Sequence, residues 1–180
     1  RVKNISTPAI SREISGYAEK SDALGFCYQQ ESHVFYVLIF PSANVTWVYD
    51  VSQSMWHKRV WTDEDGNAYR WRPNCFCRFN NQLVVGDYEN GQLYGLNLDT
   101  YTDAGEPIIR TKSFPHITQE NDRLIHRNLI LAMEVGNQMS EETNDECKVT
   151  LSVSNDGGRS YTAVQQQTLG NTGNYETSVQ

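Results

Sequence analysis

The chain has 180 residues, enough to bury roughly two-thirds of the surface its unfolded form exposes, so one or two domains with a solid core fit within it. Its formal net charge of -7 and pI near 5.0 exclude general binding to a phosphate backbone, which needs clustered Lys and Arg to release counterions. Ten tyrosines, four tryptophans and twelve glycines, with long stretches free of helix-like spacing, read as all-β, because aromatic residues favour strands and glycines supply turns.

Residues 1–22 are expected to be a connector, or to lend a strand from Ile5 to Gly16 to a neighbouring repeat. A first four-strand unit then occupies 23–61. Gly25 to Gln29 is extended, Glu31-Ser32 turns it, and His33 to Phe40 is an apolar run long enough for a strand buried on both faces. Pro41-Ser42-Ala43-Asn44 is turn chemistry. Val45, Trp47 and Tyr49 alternate with Thr46 and Val48 up to Asp50, and Trp56 to Trp61 supplies the fourth strand. Residues 62–73 form a loop in which Asp63, Glu64 and Asp65 precede the Gly66-Asn67 turn. A second unit, 74–114, repeats the order: Cys75 to Phe79, the Asn80-Asn81 turn, Gln82 to Tyr88, the Glu89-Asn90-Gly91 hairpin turn, Leu93 to Leu98, and Pro107 to Phe114.

His33 corresponds to Gln82 and Asp50 to Asp99, each 49 residues on. Four strands in about that length is the size of a β-propeller blade. The expectation is an all-β, partial propeller of three to four blades of four antiparallel strands. A β-sandwich is the competing architecture, since it also has turns every 8 to 12 residues or so. The third unit, 115–180, has strands within Leu124 to Val135, Lys148 to Ser154 and Tyr161 to Gln167, and an acidic loop at 136–146 that reads as solvated. The sequence opens at Arg1 and stops at Gln180 in a polar stretch, which suggests a piece of a longer polypeptide.

In the third unit, Ser154-Asn155-Asp156-Gly157-Gly158-Arg159-Ser160-Tyr161 fits the Asp-box pattern S-x-D-x-G-x-[ST]-[WY] at 154–161. Asp156 is expected to accept hydrogen bonds from nearby backbone N–H groups, Gly158 to supply a conformation that a side chain opposes, and Tyr161 to pack beneath the turn beside Ser154. The role is a structural staple, silent about chemistry.

Candidate chemistry is sparse. Cys27, Cys75, Cys77 and Cys147 contain no CxxC pair, and Cys75 and Cys77 lie on one face of a strand, so they read as reduced, partly buried thiols rather than a metal or disulfide framework. His33, His57, His116 and His126 are scattered. The basic residues His57, Lys58 and Arg59, with Arg70 and Arg72, read as solvated strand and loop residues. A sialidase-like site would need an arginine cluster, and Arg70, Arg72, Arg110, Arg123 and Arg127 sit in no motif that fixes them to it. No G-x-S-x-G, P-loop, HExxH or G-x-G-x-x-G occurs. The expectation is no catalytic residue, no cofactor and no metal. A glycan-binding or glycan-cleaving propeller is the alternative, on the Asp box and on Trp47, Trp56, Trp61 and Trp71 read as exposed. A Kelch-like adaptor ranks last, for want of paired glycines. No signal peptide or transmembrane run is present in these residues.

The run Gly25 to Arg59, with ISTPAISREISGY at 5–17 and GDYENGQLYGLNLDTYTD at 86–103, resembles the packaged-DNA stabilisation proteins of short-tailed bacteriophages, podoviruses. That resemblance implies a tail-hub role in the virion tail, assembled in the host cytoplasm. It also implies a plug for the portal channel that holds encapsidated DNA without specific binding. The implied partners are the portal and adaptor rings, the tail needle and the tailspikes. The implied assembly is a homo-oligomeric ring, a hexamer, with no membrane involved.

Overall fold

The computed structural model describes residues 4–115, 125, 128–131, 133 and 148–169. The chain divides into two compact units, Arg1–Thr111 and Lys112–Gln180.

The first unit opens with a helix, α1 (Pro8–Ser15), rather than a strand. Its start was written in the chain: the Thr7 hydroxyl accepts from the Ile10 N–H at 3.3 Å, and Pro8 follows where a missing N–H costs nothing. Ile10, Ile14 and Tyr17 recur at helical spacing and form the buried face.

A meander follows: β1 (Leu24–Gln30), β2 (His33–Phe40), β3 (Val45–Asp50), β4 (Met55–Thr62) and β5 (Ala68–Arg70), an antiparallel sheet in chain order. The four expected strands of 23–61 are all present. The expected loop 62–73 holds a fifth, because Asp63 closes a tight turn: its carboxylate accepts from the Asn67 N–H at 2.7 Å, and Gly66 takes φ +83°. A second sheet, β6 (Pro73–Phe79), β7 (Gln82–Asp87) and β8 (Leu93–Gly95), has three strands.

The two hairpins β1–β2 and β6–β7 do repeat at 49 residues, since Gln30 pairs with His33 and Phe79 with Gln82. The third strands do not. Phe35 pairs with Asp50, whereas Val84 pairs with Gly95, so Asp99 is not the counterpart of Asp50 and lies outside any strand. The shorter β7 and β8 set this difference. The expected strand Pro107 to Phe114 is absent as well. Instead β9 (Thr102–Asp103) and β10 (Glu106–Pro107) pair through a tight turn with Ala104 at φ +53° and Gly105 at φ +95°. That turn consumes the chain where the fourth strand would begin and leaves Ile108 and Ile109 exposed.

Each face of the first sheet is covered differently. Tyr28, Val37, Ile39, Val48 and Trp71 form one buried cluster, against which Phe26, Phe35, Phe76, Leu83 and Leu96 pack. Because Phe76, Leu83 and Leu96 come from or flank the second sheet, this is the joint between the two sheets. Burying each large apolar side chain there contributes on the order of 2 kcal/mol. On the opposite face α1 covers Phe40 and Trp47 with Ile10.

In the second unit, β11 (Lys148–Val153) pairs with β12 (Thr162–Thr168) as an antiparallel hairpin with an irregularity at Leu151/Ser152. Of Leu124 to Val135 only Ile125, 128–131 and Met133 are described, none in a strand. The acidic loop 136–146 lies outside the described residues.

Candidate functional site

The densest chemistry lies where β4, β5 and β6 meet. The sequence Tyr69-Arg70-Trp71-Arg72 interleaves rings and guanidinium groups, and the fold buries Arg70, Trp71 and Arg72 together. The expectation of solvated arginines is therefore corrected. Arg72 Nε donates to Asp87 Oδ2 at 2.6 Å, and its guanidinium lies 4.8 Å from the Trp61 ring centroid. Burial alone would lower the Arg72 pKa, but the Asp87 carboxylate outweighs it and raises it. Arg70 donates to Asn74 Oδ1 at 2.7 Å and stacks 3.5 Å from the Tyr88 ring centroid; burial lowers its pKa. Its backbone N–H is held by Asn44 Oδ1 at 2.9 Å.

Arg59 occupies an aromatic box, 4.8 Å from the Trp71 centroid, 5.0 Å from Phe35 and 5.6 Å from Tyr28, and it donates to the Tyr28 hydroxyl. Burial pushes the Tyr28 phenol up. Lys58 points to the other face, pairs with Glu13 of α1 and lies 4.9 Å from the Trp47 centroid. His57, which precedes Lys58 in sequence, is half-buried, and burial with the neighbouring Arg59 lowers its pKa.

The histidines are not as isolated as their spacing suggests. His33 Nδ1 and Asp50 Oδ2 stand 2.7 Å apart across 17 residues of chain. Burial would raise the Asp50 carboxyl, but the His33 bond and the N–H groups of Gln53 and Ser52 outweigh it and hold it low. Asp50, Asp63 and Asp87 each accept from a backbone N–H a few residues on and so open a turn. His116, His126, Arg123 and Arg127 lie outside the described residues. Arg110 lies 5.9 Å from the Tyr101 centroid.

The tryptophans face inward rather than toward a ligand. Trp47 and Trp71 are buried, Trp56 and Trp61 half-buried. Trp56 Nε1 donates to Ile5 O at 2.8 Å, Trp47 Nε1 to the Tyr17 hydroxyl at 3.1 Å and Trp61 Nε1 to Asp103 O at 3.0 Å. The aromatic surface imagined for a glycan is occupied by the protein itself.

In the second unit Asp156 Oδ1 accepts from the N–H groups of Arg159 and Ser160, each at 2.9 Å, and from Ser154 Oγ at 2.8 Å. Ser160 Oγ donates to Oδ2 at 2.6 Å, and Gly158 N–H to Ser154 Oγ at 2.8 Å. These bonds, the Ser160 hydroxyl first, drive the Asp156 pKa far below the ordinary carboxylate range. Gly157 and Gly158 take φ +75° and +87°, as the turn requires. Tyr161 is 59% exposed, so its ring does not pack beneath the turn; only its hydroxyl approaches, 3.4 Å from where a Gly158 Cβ would sit.

Cys27, Cys75 and Cys77 are free and exposed, not partly buried; Cys147 lies outside the described residues. Phe76, between Cys75 and Cys77, takes the core side of β6 and leaves both thiols outward. Among the described residues no group of three His, Cys, Asp or Glu is placed to hold a metal, and no helix is long and apolar enough to cross a membrane. An open apolar groove of about 310 Å³ lies between β1 and the β6–β7 hairpin.

No curated protein and no solved structure matches the chain significantly. A family model described as bacteriophage P22 Gp10, β-propeller, matches residues 1–101, which contain α1 and the sheets β1–β5 and β6–β8. The match spans more than half of the 180 residues: the chain belongs to this family of phage stabilisation proteins, a β-propeller family of phage structural proteins.

Proposed function

We propose that the chain is part of a virion tail hub that seals the portal channel, keeps packaged DNA inside, and docks the adaptor ring, tail needle and tailspikes as one subunit of a homo-oligomeric ring. The family match carries this reading. The physics suits it: two sheets joined by the packing of Phe76 and Leu83 on Phe26 and Tyr28 make a rigid body, and turns at both ends of each sheet offer surfaces for stacked rings. Such a protein works by fit, without turnover. Its acidic balance, a net charge of -7, would let DNA be held without adhering.

The deciding experiment adds the full-length protein to DNA-filled heads that carry portal and adaptor rings. Joining those rings and stopping DNA leakage is the expected result. Failure to bind them, or bound rings that still leak, rejects the reading. Tight binding of naked duplex DNA at physiological salt would reject the repulsion argument alone.

A further inference from the structure

The two faces of the first sheet are built from different residues. Val37 pairs with Val48, and these two, with Tyr28 and Ile39, form the face that meets the second sheet. The opposite face collects rings: Leu38 pairs with Trp47, Tyr36 with Tyr49, and Tyr49 with Trp56. The Trp56 ring stands 5.1 Å from Tyr49, 6.3 Å from Trp47 and 6.3 Å from Tyr36. Sheets in a propeller stand side by side and pack face to face with their neighbours. On this aromatic face the seat of a neighbouring sheet is taken by α1 and its flanks.

The fit is chemical as well as steric. Trp47 and Trp56 bring two indole N–H donors to the face, and a buried indole without an acceptor is costly. A sheet laid there would present side chains, its backbone acceptors being spent in its own ladder. The α1 segment supplies both acceptors: Ile5 O takes Trp56 Nε1 at 2.8 Å, and the Tyr17 hydroxyl takes Trp47 Nε1 at 3.1 Å. Tyr17 donates onward to Glu13 Oε1 at 3.2 Å, and Glu13 pairs with Lys58 of β4. A chain of bonds thus leaves the sheet at β3, crosses α1 and returns at β4. Ile10 packs with Phe40 and Trp47, all three buried, and the Tyr17 ring meets Phe40 edge-on at 5.0 Å. Ser11, Arg12 and Ser15 are exposed, so the covering side of the helix is polar.

We infer that α1 is a built-in cap: it stands in for a neighbouring sheet and withholds the aromatic face from a second copy of the chain. Capping units with a polar outer side serve the same purpose in stacked-repeat proteins. The inference stands on the propeller fold and not on the tail-hub reading, so the two survive or fail separately.

The test uses the full-length protein, with amide exchange read by mass spectrometry and self-association read by sedimentation. The hydrogen-bonded amides of residues 11–17 should exchange about tenfold or more slower than in a free peptide spanning residues 4–17. Ile10→Asp puts a charge into the buried contact and should bring those amides to the free-peptide rate, while β1–β4 stay protected. The uncovered face should then pair two copies and double the sedimenting mass relative to the parent. Tyr36→Lys, at a half-buried position on the same face, should return that variant to the parent mass. Tyr17→Phe removes a single hydroxyl and should speed α1 exchange about fivefold with the sheet untouched, the scale of one lost hydrogen bond. Parent amides that exchange like the free peptide overturn the inference. So does an Ile10→Asp protein with an open helix and unchanged mass, self-association that Tyr36→Lys leaves in place, or unaltered α1 exchange in Tyr17→Phe.

Discussion

Arg72 and Asp87 form a fully enclosed ion pair at 2.6 Å, with 7% of one side chain and none of the other open to solvent. Pro73 pairs with Asp87 in the ladder, so the two charges are set by the first residue of β6 and the last of β7. Enclosure makes such a pair a poor source of net stability and a severe loss when halved, because the surviving charge stays buried and uncompensated.

Asp87→Asn or Arg72→Met alone should therefore cost about 3–5 kcal/mol. The double change Arg72→Met with Asp87→Leu should recover most of that loss. Urea unfolding of all three variants checks it; a double variant as unstable as the worse single one would show that the pair contributes more than mutual neutralisation.

A second prediction concerns a close approach in the second sheet. A Cβ built on Gly86 would stand 2.8 Å from Cys75 Sγ, a distance real side chains do not tolerate. Gly86 and Cys75 are direct cross-strand partners, so an added methyl must turn the Cys75 side chain out of its present rotamer. Gly86→Ala should lower stability by roughly 1 kcal/mol, the scale of a displaced rotamer. Cys75→Ala removes the sulfur and should restore most of it in the double variant, which a double-mutant cycle would register as strong coupling. Additive losses would disprove the contact as the cause.

These relationships mark how far the residues could be read beforehand. The β1–β2–β3–β4 meander was legible because short breaks at Glu31-Ser32, Pro41 to Asn44 and Ser52 to Ser54 separate runs of aromatic and β-branched residues. Thr7-Pro8 with Ile10, Ile14 and Tyr17 was legible as a helix too, but the surrounding β texture masked it. The burial of Arg70 and Arg72 was not readable, since a guanidinium goes inside only when a partner such as Asp87, 15 residues on, arrives by tertiary folding. Nor was the loss of the strand at Pro107 to Phe114, which depends on where the Ala104-Gly105 turn diverts the chain.

The Asp156 turn gives a pH-dependent prediction. Its folded pKa is depressed, the Ser160 hydroxyl bond being the largest cause, so its contribution is fully present above the unfolded carboxyl pKa near 3.9 and is lost as pH falls toward the folded value. Amide exchange at Arg159 and Ser160 should stay slow through neutral and mildly acidic pH. Asp156→Ala should speed exchange at both residues at neutral pH while leaving the first unit's amides unchanged. Unaltered exchange in that variant would show that the Ser154 and glycine contacts hold the turn unaided.

Asp103 has the opposite sign. Burial is the largest influence on its carboxyl and raises the pKa; nearby Asp87 adds to this, and Arg72, the Trp71 indole and Arg59 offset it only in part. The charged form is thus the disfavoured one in the folded chain. Its contribution is fully present below the unfolded pKa near 3.9 and disappears as pH rises through the higher folded value. Asp103→Asn keeps a hydrogen-bonding side chain and cannot ionise, so it should raise the melting temperature at pH 7 and change it little at pH 4. The Trp61 bond goes to the backbone carbonyl of Asp103, so it survives the substitution and does not confuse the result. A variant that melts lower than the parent at pH 7 would mean that the Asp103 charge is needed beside Arg72, and that Arg72, Asp87 and Asp103 act as one network rather than as a pair with an unfavourably placed carboxyl beside it.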